Sequence, residues 1–179
     1  MAKKTPKKYE LTSDTATHFG TILHRIRALR DFGDVEKGDL GGFVESEANL
    51  SNEGNCWVYG NARVYGDARV SGDARVYGNA CVSGNACVSG DAEIYGNAWV
   101  SGNAWVSGDA RVSGNASVYG NAWVSGNAEV SEDARVSENA EVSEDARVYG
   151  RAEINGTQEI NTGNHDTKVV PKSSQPKGI

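Results

Sequence analysis

Small and aliphatic residues alternate with polar ones through two thirds of the chain. From residue 54 to residue 161 a six-residue unit, Gly-Asn/Asp-Ala-x-Val/Ile-Ser/Tyr in its commonest form, recurs eighteen times. Within a unit, Ala62 and Val64 fall on one side of an extended chain, while Arg63 and Tyr65 fall on the other. A unit of this length is a strand plus a corner, so the pattern predicts a parallel β-helix with Ala and Val pointing inward.

Each unit also carries a corner. Gly60-Asn61 and Gly66-Asp67 are typical, and these residue types accept the positive φ of a tight turn. Two sides of six residues would flatten the coil around its Val side chains. We therefore predict three six-residue sides per coil, with coils stacked at about 4.8 Å.

Three sides per coil place residues eighteen apart on the same face, in ladders that can be read from the sequence. The first ladder is Trp57, Arg75, Glu93, Arg111, Glu129, Arg147; the second is Arg63, Cys81, Trp99, Ser117, Arg135, Glu153; the third is Arg69, Cys87, Trp105, Trp123, Glu141, Glu159. Charge alternates along the first ladder from Arg75 to Arg147, as pairing between neighbouring strands favours. The third face also carries an unbroken serine row, at Ser71, Ser89, Ser107, Ser125 and Ser143.

The sequence therefore predicts an all-β chain that forms a single-stranded parallel β-helix of about six to seven coils with a short N-terminal cap. A cap is required because an exposed terminal coil would offer unpaired strand edges to other chains. We expect a flexible basic arm at 1–8, the cap at 9–39, the helix at 40–161 and a flexible tail at 162–179.

The repeat resembles a known class. The phrase Val-Ser-Gly-Asn-Ala-x, read from Val106 or Val112, resembles the hexapeptide repeat of left-handed parallel β-helices. The preceding segments, Lys37-Gly-Asp-Leu-Gly-Gly-Phe-Val-Glu and Glu53-Gly-Asn-Cys-Trp-Val, resemble phage and prophage proteins that carry a short cap before such a helix. Relatives of that group are often labelled as transferases or polymer-forming proteins. The resemblance implies a left-handed helix of the phage or prophage type.

Charge is concentrated in the helix. The chain has a net charge of −6, and residues 40–161 hold seven basic and seventeen acidic side chains. Acids replace Gly-Asn at three successive late corners, and this candidate acidic surface consists of Glu132, Asp133, Glu138, Glu144 and Asp145. Two interpretations stay open: a solvated surface that discourages stacking, or a mimic of nucleic acid that occupies a basic groove. We expect no direct binding of nucleic acid, because the acidic body would be repelled.

The N-terminal segment and the cysteines bear on location and cofactors. No signal peptide or membrane-spanning run is visible, so we expect a cytoplasmic protein in a bacterial host cell. Cys56 replaces an inward Ala, whereas Cys81 and Cys87 point outward from different faces. The cysteines therefore predict neither a disulfide framework nor a metal site, and we expect no cofactor.

The positions of the histidines bear on enzyme chemistry. Resemblance to left-handed β-helix acyltransferases and zinc carbonic anhydrases implies histidines on the coils, as a general base or as metal ligands. This chain has only His18 and His24 in the cap and His165 in the tail. We therefore predict a non-enzymatic protein without catalytic residues. A pocket lined by His24 and carboxylates between cap and first coil would favour a transferase-like enzyme instead.

Surface tryptophans indicate a binding face. Trp105 and Trp123 are consecutive rungs of the serine face, with Cys87 beneath them and Trp99 around the corner. Exposed apolar patches of this kind often mark interfaces. The candidate interface also includes Arg69 and Glu141, which lie on either side of the tryptophans. An antiparallel second copy would therefore bring opposite charges together. The alternative is that these residue types simply fit a pleated surface.

The functional prediction is a rigid binding protein, phage-encoded, that inhibits or sequesters a bacterial host defence protein through the helix surface. A homodimer through the serine face is a second predicted interaction. The alternatives are a hexapeptide-repeat transferase-like enzyme and a structural or self-assembling phage protein.

Overall fold

A computed structural model, which describes residues 6–166, shows a parallel β-solenoid of about seven turns and confirms the predicted fold class. Three sheets form its three sides, and almost every strand pairs in parallel with the strand one turn later. The left-handed sense rests on the resemblance alone and stays a prediction. The only helix in the described part of the chain is one 3-10 turn, Glu47–Asn49, and no helix there could span a membrane.

Strand bounds are given by sheet, with labels in chain order. The first face holds β4 Trp57–Val58, β7 Arg75–Val76, β10 Glu93–Ile94, β13 Arg111–Val112, β16 Glu129–Val130, β19 Arg147–Val148 and β22 Asn164–His165. The second face holds β1 Tyr9–His18, β2 Thr21–Ala28, β3 Leu40–Val44, β5 Arg63–Val64, β8 Cys81–Val82, β11 Trp99–Val100, β14 Ser117–Val118, β17 Arg135–Val136 and β20 Glu153–Ile154. The third face holds β6 Arg69–Val70, β9 Cys87–Val88, β12 Trp105–Val106, β15 Trp123–Val124, β18 Glu141–Val142 and β21 Glu159–Ile160.

The register confirms all three ladders. Glu93 pairs with Arg75 and Arg111 on the first face, and Trp105 pairs with Trp123 on the third. Inward Ala and Val side chains fill the column and are buried along its whole length. Backbone hydrogen bonds join successive turns, as when Trp105 N donates to Ala122 O at 2.9 Å. The eighteen-residue period therefore sets both the core and the outer faces.

The corners have the backbone that the sequence predicts. Gly102, for example, has a φ of 68°, and a Cβ added there would lie 2.9 Å from the backbone nitrogen of Gly120 on the next turn. Glycine adopts this left-handed φ without strain and leaves room for the close approach of stacked turns. Glu132, Glu138 and Glu144 occupy the equivalent position with φ values of 60°, 60° and 53°.

The N-terminal cap is an antiparallel hairpin. Strand β1 pairs with β2, and β2 pairs antiparallel with β3, which begins the parallel stack through β5. Trp57 heads the first ladder, where the sequence predicts an outward side chain. It is instead 1% exposed, because the rings of Tyr9 and Phe32 pack against it edge to face. The cap therefore converts the outer surface of the first coil into core.

The chain ends differ from the predicted arm and tail where they are described. Lys8, predicted in the basic arm, is fully buried, and its Nζ donates to Cys56 O at 2.9 Å. Asn164 and His165, predicted in the tail, pair with β19 as one further rung. The remaining parts of those two predictions, residues 1–5 and 167–179, lie outside the described residues.

Candidate functional site at the hairpin tip

The tip of the cap hairpin lies over the outer surface of the second face. A two-residue turn, Phe19–Gly20, joins β1 to β2, with φ values of 44° and 81°. Two positive φ angles match the twist of a tight hairpin, but a bulky aromatic residue at the first of them is uncommon. The tip brings His18 and Phe19 onto coils that are far away in sequence.

His18 contacts a cysteine of the second ladder. Its Nε2 lies 3.5 Å from the Sγ of Cys81, and its ring packs edge to face on Tyr65 at 5.4 Å between centroids. Arg63 and Trp99 are the rungs on either side of Cys81 in the same sheet. Cys81 is only 7% exposed. The expectation that no histidine reaches the coils is therefore wrong.

The protonation states of this pair follow from burial and from one cation. Burial lowers the pKa of His18 below its ordinary value of 6.5, and the nearby Arg63 lowers it further. Burial also raises the pKa of the Cys81 thiol, an effect opposed by the Tyr65 hydroxyl and by Arg63. At neutral pH the pair is therefore a neutral imidazole, which can act as a base, beside a protonated thiol, which can donate its proton.

An aromatic wall borders the pair. Phe19 stacks on Trp99 with centroids 5.9 Å apart and an interplanar angle of 25°. The Trp99 indole N–H donates to Ser83 Oγ at 3.4 Å, which holds the ring beside Cys81 on the same sheet. Phe19 itself is 75% exposed, so the wall has one solvent-facing edge.

This arrangement has the parts of an activated nucleophile. A thiol within reach of a neutral histidine can lose its proton as it attacks an electrophilic carbon. Arg63 supplies positive charge beside the sulfur, which favours the thiolate that forms during attack. Sequence reasoning missed the pair because His18 and Cys81 are sixty-three residues apart. One available signal was Phe19–Gly20 between two strand-like segments, which indicates a hairpin.

The other histidines form no comparable group. His24 Nδ1 lies 3.2 Å from the backbone oxygen of Thr12 on the paired strand, and His165 Nε2 lies 3.0 Å from Thr162 O. His24 lies on β2 in register with Thr15 of β1 and Val44 of β3. Within residues 6–166, no group of three or more potential metal ligands occurs.

The candidate interface residues divide between two faces. Trp105 and Trp123 stack on the third face with centroids 5.5 Å apart, and both are nearly half exposed. Arg69, Cys87 and Glu141 belong to the same ladder. Trp99 lies on the second face, where Phe19 covers part of it.

The candidate acidic surface is exposed at three successive corners. Two of its members continue ladders of stacked side-chain amides: Asp133 Oδ1 accepts from Asn115 at 2.9 Å, and Asp145 Oδ1 accepts from Asn127 at 3.0 Å. Glu132 Oε2 accepts from the backbone nitrogen of Gly150 at 2.9 Å. Three of these acids therefore accept hydrogen bonds that join successive turns of the column. Mimicry of nucleic acid by this surface stays a prediction.

Comparison with known proteins identifies the repeat. The YdcK β-solenoid repeat family matches residues 58–72, 68–84, 74–90, 92–108 and 110–126. The chain is a hexapeptide-repeat β-solenoid. It is also 36% identical over 61 residues to an Escherichia coli (strain K12) protein named as uncharacterized acetyltransferase YdcK. That match covers 30% of this chain and 19% of the length of the relative.

These findings correct the enzyme prediction. The β-solenoid was predicted to be non-enzymatic, and that prediction is wrong, because the named relative points toward an enzyme family. The structural premise fails as well, since His18 lies against Cys81 on a coil. The phage or prophage type and the cytoplasmic location stay predictions.

Proposed function

We propose that the β-solenoid is an acyl-transfer enzyme whose site is the hairpin tip, with Cys81 as nucleophile and His18 as its base. The observation that carries the proposal is the 3.5 Å separation of His18 Nε2 and Cys81 Sγ. Similarity to a protein named as an acetyltransferase supports the same reaction class. We expect the donor to be an acyl thioester and the acceptor to be an amine or a hydroxyl.

The first step forms one bond and breaks one. Cys81 Sγ attacks the carbonyl carbon of the donor while His18 Nε2 takes the thiol proton. The bond between that carbon and the donor sulfur then breaks, and the leaving thiolate takes the proton from His18. The acyl group now resides on Cys81 as a new thioester. Phe19 and Trp99 shield it on one side from water.

The second step returns the enzyme to its starting state. The acceptor amine or hydroxyl attacks the Cys81 thioester, and His18 takes the acceptor proton as the new bond forms. The carbon–sulfur bond to Cys81 breaks, and the proton passes from His18 to the Cys81 sulfur. No oxidant or reductant is consumed in either step.

The test is turnover of a small acetyl thioester, S-acetyl-N-acetylcysteamine, with glycinamide as acceptor and chromatographic detection of both products. We expect His18→Gln to lower the rate about 10²- to 10³-fold, because general-base assistance is lost. Cys81→Ser should abolish acetyl transfer. Cys87→Ser, a thiol on the third face without a nearby histidine, is the matched control and should leave the rate unchanged.

A pH profile adds a second readout. Because only neutral His18 accepts a proton, the rate should fall as pH decreases through the His18 pKa, which lies below 6.5. This acidic limb should be missing from the residual rate of His18→Gln. Turnover that is no faster than in buffer, or that survives Cys81→Ser, would contradict the proposal.

Inhibition of a bacterial host defence protein stays a prediction of the sequence analysis. The rigid column and its exposed tryptophans are compatible with protein binding, but they identify no host partner. We therefore give the acyl-transfer proposal precedence.

A further inference from the structure

The third face is a flat surface with an apolar centre. Trp105 and Trp123 are 47% and 46% exposed and stack with an interplanar angle of 16°. The indole N–H of Trp105 donates to Ser89 Oγ at 3.4 Å, so the polar group of that ring already has a partner within the column. Serines occupy the next outward position on five successive strands, at Ser71, Ser89, Ser107, Ser125 and Ser143. Small side chains beside the tryptophans allow a flat partner to approach closely.

Charge is segregated along the same ladder. Its one basic residue, Arg69, lies on the first strand of the face, and its two acids, Glu141 and Glu159, lie on the last two. Glu141 and Glu159 are direct neighbours in the register, and like charges in that relation destabilise a sheet. The tryptophan pair lies at the centre of the six strands, so the ladder runs from positive through apolar to negative.

We infer that this face binds the same face of a second copy of the chain, in antiparallel orientation, through a two-fold axis that passes between β12 and β15. Trp105 of each copy then lies against Trp123 of the other. By the same symmetry Arg69 of each copy comes opposite Glu159 of the other, at both ends of the interface. The inference does not depend on the proposed acyl transfer, because Cys81 and His18 lie on the second face.

The ladder excludes a parallel arrangement on charge grounds. A two-fold axis along the column would set each strand against its own copy. Arg69 would then face Arg69, and Glu141 and Glu159 of both copies would form a cluster of four carboxylates. Like charges brought together across an interface strongly oppose association. A parallel trimer, in which equivalent strands of three columns lie at the same height, would bring the same like charges together.

The height of the face suits such a contact. Six strands at a spacing of about 4.8 Å extend over about 24 Å along the column. Ladders of stacked side-chain amides stiffen the corner beside it, where Asn103 Nδ2 donates to Asn121 Oδ1 at 2.9 Å. A surface that is rigid before binding loses little conformational entropy when it docks.

The test is analytical ultracentrifugation of the full chain over a wide concentration range, with circular dichroism to verify folding of each variant. Wild type should sediment as a dimer. Trp105→Ser/Trp123→Ser should sediment as a monomer. Arg69→Glu alone and Glu159→Arg alone should each raise the dissociation constant about tenfold or more, because each introduces two like-charge contacts. The double variant Arg69→Glu/Glu159→Arg should restore the dissociation constant of the wild-type dimer.

Restoration by the double variant is specific to an antiparallel pair of identical faces. The control is Arg151→Glu, an equal charge change at a corner between the first and second faces, which should leave the dimer intact. A wild-type monomer at the highest concentration would overturn the inference. So would a failure of the double variant to restore dimerisation, or larger assemblies that persist in the tryptophan variant.

Discussion

At the scale of single residues, the same repeat position acquires different properties from its surroundings. Cys81 and Cys87 follow the same Gly-Asn-Ala corner in consecutive units. Cys81 lies beneath His18 and is almost fully buried, whereas Cys87 is half-buried and belongs to a different sheet. The repeat alone could not distinguish these two thiols, because the difference arises from a hairpin outside the repeat.

Corner glycines differ from one another in the same way. Gly60 and Gly102 have φ values of 59° and 68°, yet the nearest atom to an added Cβ is 3.9 Å away at Gly60 and 2.9 Å away at Gly102. Gly60→Ala should therefore cost about 1 kcal/mol, the usual penalty for a left-handed alanine. Gly102→Ala adds a clash with backbone and should cost about 2–4 kcal/mol.

Urea unfolding of the two alanine variants measures this difference in the free energy of unfolding. Because both replacements are identical in chemistry and in backbone conformation, equal losses would contradict the claim that the close approach of the next turn disfavours a side chain at Gly102.

At the scale of elements, the repeating strands were predictable and the cap was only partly so. Strand ends, inward side chains and the pairing of Arg75 with Glu93 all follow from a period of eighteen residues. The cap lacks a repeat, so the sequence showed that residues 9–39 are apolar enough to cover an end but not how they fold. Burial of Trp57 could not be predicted from its place in the ladder, since it depends on Tyr9 and Phe32.

The cap therefore offers a direct comparison of two tryptophans that occupy equivalent outward positions. Trp57→Ala should lower the free energy of unfolding by about 3–5 kcal/mol, because it empties a buried contact between cap and first coil. Trp123→Ala should cost less than about 1 kcal/mol, since half of that side chain is exposed. Urea titration of both variants at a concentration where the protein is monomeric tests the difference, and a mild Trp57 variant would contradict the described cap.

At the scale of the whole molecule, a short repeat predicts a column far better than it predicts what the column does. Inward residues repeat every six positions, so the core is encoded locally and many times over. The candidate site is encoded once, by the place where the Phe19–Gly20 turn meets the second face. Long-range placement of this kind has no periodic pattern in the sequence, so the position of the histidines outside the repeat does not reveal the contact between His18 and Cys81.

The most direct test of the proposed acyl transfer is to locate the acyl group after brief exposure of the protein to S-acetyl-N-acetylcysteamine without an acceptor. Peptide mass spectrometry would then compare Cys56, Cys81 and Cys87 in wild type and in His18→Gln. We expect acetylation at Cys81 first, although Cys87 is more exposed, and much slower labelling of Cys81 in the His18 variant. Preferential labelling of Cys87, or equal labelling of Cys81 with and without His18, would contradict it.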